Sequence, residues 1–340
     1  MDLLDSLPEK IKDMFVIPGS PTGYLLSGSF LFDIILSGGK GYPLGGIIEL
    51  AGEPDSGKTS LGLIAISEAK RKKGYGLIIN TERNLEAPYL KLMGAEDTPL
   101  IQSPQLTLEQ VFQVIETFVD NYIKQEVKQP AVILWDSGAN TYSKEEVKWS
   151  KPSKKESKPA VRASHLSEWL RQGIVSKLNK TKILLLITNH LKETFIPKWL
   201  GQSLESPLGR SLKYLCLSRN LLEQKGRIGD PPDGIIIQAK NVSGKHKKAY
   251  RIVRFIFYPD ERRIDNYESL VDYVRTHELL DFDMKGRTDW DGQKLFASQL
   301  LERIKSDIPS FEKLKKIILD EGVKGAKRNA NQVMEPDLQS

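Results

Sequence analysis

The chain has 340 residues, 39% of them hydrophobic, and its 50 Lys and Arg against 44 Asp and Glu leave a net charge of +6 with a pI near 9.0. That length suits one large domain with a small appendage, and burial of roughly 70–75% of the unfolded surface makes a covalent staple unnecessary. A single cysteine, Cys216, excludes an internal disulfide framework, the apolar runs are too short for a bilayer-crossing helix, and with no signal peptide this predicts a cytoplasmic protein.

In chain order, residues 1–14 have an amphipathic pattern that predicts a short helix, and 18–23 are turn-rich. Residues 28–36 predict another short helix, closed by Ser37, Gly38 and Gly39. The apolar run 47–51 predicts a buried strand, and 58–73 predicts a helix that stops at Gly74. Between them lie Gly52, Glu53, Pro54, Asp55, Ser56, Gly57, Lys58 and Thr59, a complete G-x-x-x-x-G-K-T phosphate loop, with Ser60 next in line. Strand before and helix after is the context this motif requires. Its glycines let backbone N–H groups curl around phosphates, the helix N-terminus adds partial positive charge, Lys58 adds a full one, and the Thr59 hydroxyl can ligate Mg²⁺.

Strand and helix then alternate: strand 76–80, helix 106–124, strand 131–135, helix 161–179 and strand 182–188. This predicts an α/β fold with a twisted, mostly parallel sheet flanked by helices and joined by right-handed crossovers. Four strands end in a polar residue, at Gly52, Glu82, Asp136 and Asn189/His190. Ligands of open α/β sheets bind beyond the carboxyl ends of strands, so these four ends converge on one crevice. A carboxylate such as Glu82 beside phosphates can orient a water and take its proton. Asp136 ends a buried strand, where an acid must be paired or hold a metal, unless it caps a helix.

Positive charge is concentrated. Residues 144–162 carry seven Lys/Arg against three Glu, and 238–254 carry six Lys/Arg with no acid. Two such runs flanking a nucleotide core point to nucleic acid. Residues 191–208, with Pro197, Gly201 and Pro207, predict a loop; 211–217, 234–240 and 250–258 predict further strands, the last two a hairpin around Ser243 and Gly244. From 278 the chain turns polar and helical, with helices expected at 294–305 and 311–320 and a frayed tail from 322.

This ordered set resembles the RecA-like strand-exchange recombinases, and the phage UvsX branch in particular, over about residues 22–280. The resemblance is carried by the approach 27–36 and 45–59 into the phosphate loop, by Thr81, Glu82, Arg83, Asn84, Leu85, Glu86, Ala87, Pro88 and Tyr89, and by Asn189, His190, Leu191, Lys192, Glu193 and Thr194. It implies a RecA-type P-loop core at 25–280, an N-terminal polymerisation segment at 1–24, and a small C-terminal helical region at 281–340. The implied activity is that of a DNA-dependent ATPase forming helical filaments on single-stranded DNA and exchanging strands with duplex DNA, using ATP and Mg²⁺. Single-strand-binding and loader proteins would be further partners, and no membrane.

By the same resemblance Glu82 is the general base, Lys58 and His190 act on the terminal phosphate, and Thr59 and Asp136 serve the metal. Tyr89 stacks on adenine with Glu86 near its amine, and Lys240 reaches ATP in cis or across a subunit boundary. Val242 stands where the bacterial pattern has a second lysine, so either Lys245 substitutes or the contact across the subunit boundary is weaker. Two DNA-binding loops are implied at about 145–162 and 191–210. The first offers Lys148, Lys151, Lys154, Lys155, Lys158 and Arg162; the second offers Lys192, Phe195, Lys198, Trp199 and Arg210. Lysines there would neutralise phosphates and aromatics would stack on bases. The alternatives are a ring helicase on the same core and a mediator that binds ATP and DNA without exchange.

Overall fold

Among the described residues, short strands β1 (Tyr24–Leu25) and β2 (Tyr42–Pro43) pair with each other, and nine further strands form one sheet. The computed structural model describes residues 21–103, 105–148, 158–190, 211–229, 232–244 and 252–332. The inner strands are β3 (Gly46–Gly52), β4 (Tyr75–Asn80), β5 (Leu100–Gln102), β6 (Ala131–Asp136) and β7 (Ile183–His190), all parallel. Four more, β8 (Ser218–Gly229), β9 (Pro232–Gly244), β10 (Ile252–Tyr258) and β11 (Arg263–Asp265), extend one edge. β8 joins β3 in parallel, each of β9, β10 and β11 is antiparallel to the strand before it, and the sheet order is β11-β10-β9-β8-β3-β7-β6-β4-β5.

The parallel strands β3, β4, β6 and β7 are mostly apolar because helices cover both their faces, and the one acid inside a run, fully buried Glu49 of β3, is paired with Arg219 and accepts from Asn189. Their side chains alternate between two cores: Ile48, Leu50, Val132, Leu134, Leu184 and Leu186 face one, and Ile47, Ile133, Trp135, Leu185 and Ile187 face the other. The first core is closed by α1 (Phe30–Ser37) and α2 (Lys58–Arg71), the second by α4 (Leu108–Lys124). Thr107 and Gln110 form a capping box that fixes where α4 starts, and its buried stripe Leu108, Val111, Phe112, Ile115, Val119 and Tyr122 has helical spacing. Phe112 stacks on Trp169 with centroids 4.2 Å apart. Short α3 (Ala87–Leu92) follows β4.

Several expected elements differ. Residues 161–179 are not one helix: α6 (Lys158–Trp169) passes through a π-turn at Leu170–Ile174 into α7 (Val175–Asn179). Gly173, at φ 120°, breaks the regular ladder there. Residues 145–162 are helical at both ends, in α5 (Lys144–Lys148) and α6. The run 211–217 is not a strand but begins as helix α8 (Ser211–Leu215), with Leu212 and Cys216 one turn apart and both buried. β8, unforeseen, follows it. The strand pairing of β9 with β10 is as expected, from Ile235 opposite Phe257 to Lys240 opposite Ile252. Beyond α9 (Asn266–Thr276), residues 287–296 form a hairpin of β12 (Arg287–Trp290) and β13 (Gln293–Phe296), so helix α10 starts only at 297 (Ala297–Ser306). The last helix, α11 (Ile308–Gln332), runs ten residues past the point where fraying was expected. The expected N-terminal helix at 1–14 and the whole of the expected second loop at 191–210 lie outside the described residues.

One buried carboxyl belongs to the fold rather than to any crevice. Asp33 of α1 is 3% exposed and accepts the Ser27 N–H at 2.9 Å. Burial pushes its pKa up to about 7, against the lowering by Ser27. The folded state therefore holds this proton more tightly than the unfolded chain. Its stabilising contribution is complete below the ordinary pKa near 3.8 and is lost as pH rises to about 7. Asp33→Asn keeps an oxygen for Ser27 and removes the titration. The wild type should lose up to about 4 kcal/mol relative to this variant between pH 4 and 7, measured by urea midpoints at several pH values. Parallel pH profiles would refute it.

Candidate nucleotide site

The carboxyl ends of β3, β4, β6 and β7 open into one cleft of about 510 Å³. Pro54, Asp55, Gly57, Lys58, Thr59 and Ser60 form its floor, with Glu82, Tyr89, Asp136 and His190 on the walls. The phosphate loop joins β3 to α2 and depends on glycine at two places. A Cβ on Gly52 would lie 2.2 Å from the Leu222 carbonyl oxygen, and Gly57 sits at φ 83° with its Cβ position 2.6 Å from Ile237 Cδ1. A side chain at Gly52 would push against the β8 backbone, and one at Gly57 would be strained by the positive φ.

Lys58 is buried, and Nζ donates to the Glu53 carbonyl at 2.5 Å and to Ser56 Oγ at 3.3 Å. Burial lowers its pKa, while Asp136 and Glu82 oppose that. Thr59 Oγ1 donates to Asp136 Oδ2 at 2.7 Å, and Thr188 donates to the other oxygen. Asp136 is 2% exposed; burial raises its pKa and the two hydroxyls pull it back. A hydroxyl and a carboxylate this close, both hard oxygen donors beside the phosphate loop, fit Mg²⁺.

Glu82 lies just past β4, and its carboxylate gathers donors. Oε1 accepts from Ser137 Oγ at 2.5 Å, His190 Nε2 at 2.7 Å and Asn140 Nδ2 at 2.8 Å; Oε2 accepts from Asn84 Nδ2 at 3.1 Å. The His190 hydrogen bond, then those of Ser137 and Asn140, hold its pKa at about 2 against burial. Glu82 is thus an oriented, ionised carboxylate. The Tyr89 hydroxyl pairs with Ser60 Oγ at 2.7 Å, and burial raises its pKa.

Other expected residues fall elsewhere. Glu86 is exposed at the N-cap of α3 and does not line the cleft. Lys240 lies in β9 opposite Leu221 and Ile252, also away from the lining. Arg162, expected on DNA, is a correction: it is 5% exposed and paired with Glu146 at 3.0 Å. A guanidinium among lysines reads as a free charge only while its acid partner, 16 residues away in the chain, goes unrecognised. Lys148 and Lys158 stand at the inner ends of α5 and α6. Lys151, Lys154, Lys155, Lys192, Phe195, Lys198, Trp199 and Arg210 lie outside the described residues.

The sequence reading missed Ser137, Asn84 and Asn140 around Glu82, and a far wall made by Gln224, Arg227, Asp233, Ile235, Phe257 and Asp260. Ser137 alone carried a signal, as the residue after a strand-end acid. No helix among the described residues is long and apolar enough to cross a membrane.

A parallel sheet whose central strand enters a glycine-dependent loop, with lysine, threonine and two strand-end acids around it, defines a P-loop nucleotide-binding protein. The model of the RecA N-terminal domain matches residues 21–260. The chain belongs to the RecA family. It is 30% identical to the plasmid RecA protein of Lactococcus lactis subsp. lactis over 280 residues, covering 80% of this chain and 75% of that one. It is 29% identical to the RecA protein of Rhodopirellula baltica over 231 residues, 67% of this chain and 58% of that one. The match to the RecA protein of Oceanobacillus iheyensis is 30% over 188 residues, 55% of this chain and 51% of that one. The chain thus spans between about half and three quarters of these relatives.

Proposed function

We propose that this protein is a DNA-dependent ATPase that polymerises as a helical filament on single-stranded DNA and pairs it with homologous duplex. The observation that carries the reading is the meeting of Lys58, Thr59, Asp136, Glu82 and His190 in one cleft, where β7 ends next to the second expected DNA-binding segment and β6 is joined to the first by a short turn. Glu82 orients the attacking water and takes its proton, and Lys58 with the loop N–H groups stabilises charge developing on the transferring phosphoryl group. Mg²⁺, held by Thr59 and, through water, by Asp136, would neutralise charge across the phosphates. His190 ends β7 and precedes the second segment, so its bond to Glu82 offers a route between terminal phosphate and DNA grip.

Residues 1–24 are assigned to polymerisation, 281–340 to a small C-terminal region, and Lys240 to ATP, in cis or across a subunit boundary. The pairing of Asn189 with His190 supports the finer placement in the UvsX branch. The decisive experiment images the protein on single-stranded DNA with a non-hydrolysable ATP analogue, alongside DNA-stimulated phosphate release. Closed rings would favour a helicase, and filaments without exchange a mediator. Equal DNA affinity with and without nucleotide would overturn the reading.

The first basic segment makes a separate prediction. Neutralising Lys151, Lys154 and Lys155 together should weaken single-stranded DNA binding and reduce its log–log salt slope by about 0.7 per lost phosphate contact. Titrations at several salt concentrations measure it, and an unaltered slope would reduce the segment to a spacer.

A further inference from the structure

Glu82 is held by a ring of amides as well as by the donors on Oε1. Its own backbone N–H donates to Asn80 Oδ1 at 2.8 Å. Asn80 Nδ2 donates to Asn84 Oδ1 at 3.1 Å, and Asn84 Nδ2 donates to Glu82 Oε2 at 3.1 Å. The ring leaves Glu82 from the main chain and returns to its carboxylate. A backbone N–H only donates and a carboxylate only accepts, so these two ends dictate the orientation of both amides. Between them Arg83 sits at φ 56°, a left-handed turn that carries Asn84 back toward Glu82.

The ring is anchored in the sheet. Asn80 is the last residue of β4 and fully buried, opposite Gln102 of β5 on one side and Asp136 of β6 on the other. Gln102 Oε1 accepts from Asn80 Nδ2 at 3.0 Å, so every polar atom of the Asn80 side chain has a partner. Asn84 is exposed and lines the cleft. The two oxygens of the Glu82 carboxylate therefore differ. Oε1 accepts from Ser137, His190 and Asn140 and is filled. Among the described residues Oε2 accepts from Asn84 alone and keeps a lone pair for one more donor.

We propose that Asn84 is a positioning residue for hydrolysis: with Asn80 as its buried anchor, it fixes Oε2 as the oxygen that receives the proton of the attacking water. The donors on Oε1 hold one end of the carboxylate and Asn84 holds the other, so the group does not rotate away from the cleft. The proton passes to Oε2 as the water oxygen bonds to the γ-phosphorus and the bridging P–O bond breaks toward ADP, which leaves with the electron pair. A base held this way needs no reorientation at the moment of reaction. The proposal rests on the reading of Glu82 as the base.

The test measures single-turnover phosphate release by the full chain at saturating ATP, together with ATP affinity. Asn84→Ala removes the donor, and Asn84→Asp keeps the shape but turns an acceptor toward Oε2. Both should slow hydrolysis about tenfold or more while ATP affinity stays within about twofold of wild type. A wild-type rate in Asn84→Asp overturns the proposal, as does a loss of ATP affinity that matches the loss of rate. The reading that a merely structural role would not give comes from the Glu82→Gln background. There Asn84→Ala should change the rate by less than about twofold, because the base it positions is already gone. A further tenfold fall in that background overturns the proposal. Glu82→Gln alone separates the two readings. If it is slow while both Asn84 variants keep the wild-type rate, only the positioning role fails; if it turns over normally, the assignment of the base fails and the positioning role with it. Thermal unfolding checks that each variant folds, and should Asn84→Ala not fold, the isosteric Asn84→Asp decides by itself.

Discussion

Glu82→Gln should bind ATP and single-stranded DNA with near wild-type affinity and hydrolyse ATP on the order of 10²–10⁴-fold more slowly. The glutamine oxygen can still accept from Ser137, Asn140 and His190, so the cleft keeps its shape. What is lost is the capacity to take a proton. At neutral pH the native carboxylate is fully ionised, because the hydrogen bond from His190 and those behind it hold its pKa at about 2. Single-turnover phosphate release at saturating ATP separates chemistry from binding. Turnover close to wild type would remove Glu82 from the reaction and leave the phosphate loop assignment standing.

Lys58→Ala should weaken ATP binding by about 3 kcal/mol or more, roughly a hundredfold, because a charge-assisted contact in a desolvated site is lost outright. The ammonium lies across the mouth of the loop on Glu53 and Ser56, and burial already disfavours its charged form. A bound triphosphate replaces those weak acceptors with formal negative charge. The glycines and the α2 N-terminus remain in the variant, so residual binding reports their share. Calorimetric titration of an ATP analogue measures the loss, and thermal unfolding in its absence checks that the fold survives. Unchanged affinity would refute the assignment of the loop.

The core of the fold was legible because its signals are local and redundant. Runs such as 47–51 and 131–135 are too apolar for an exposed strand and too short for a helix, and each ends in a residue with a polar task. The run 211–217 was not legible. Leu212, Tyr214 and Cys216 alternate as in a strand, whereas Leu212 and Cys216 also stand one helical turn apart. Seven residues cannot separate the two periods, and packing against the second core selects the helix, leaving Tyr214 67% exposed. β8 escaped notice because it is mostly polar; its partners β3 and β9 make it a strand. The β12–β13 hairpin did carry a signal, Asp291 and Gly292 at φ 52° and 79°, a turn type that joins strands. The helical composition around it outweighed that dipeptide.

The amino-acid order alone specified the phosphate loop, the parallel core and the family, since each rests on short local patterns, whose geometry the backbone enforces directly, and on their order along the chain. Folding in three dimensions supplied the rest. It brought His190 to Glu82 across 108 residues and Asn140 across 58, and it turned Arg162 inward to Glu146. Such contacts depend on where a sheet edge and a helix end come to lie, and no spacing within the chain encodes that position on its own.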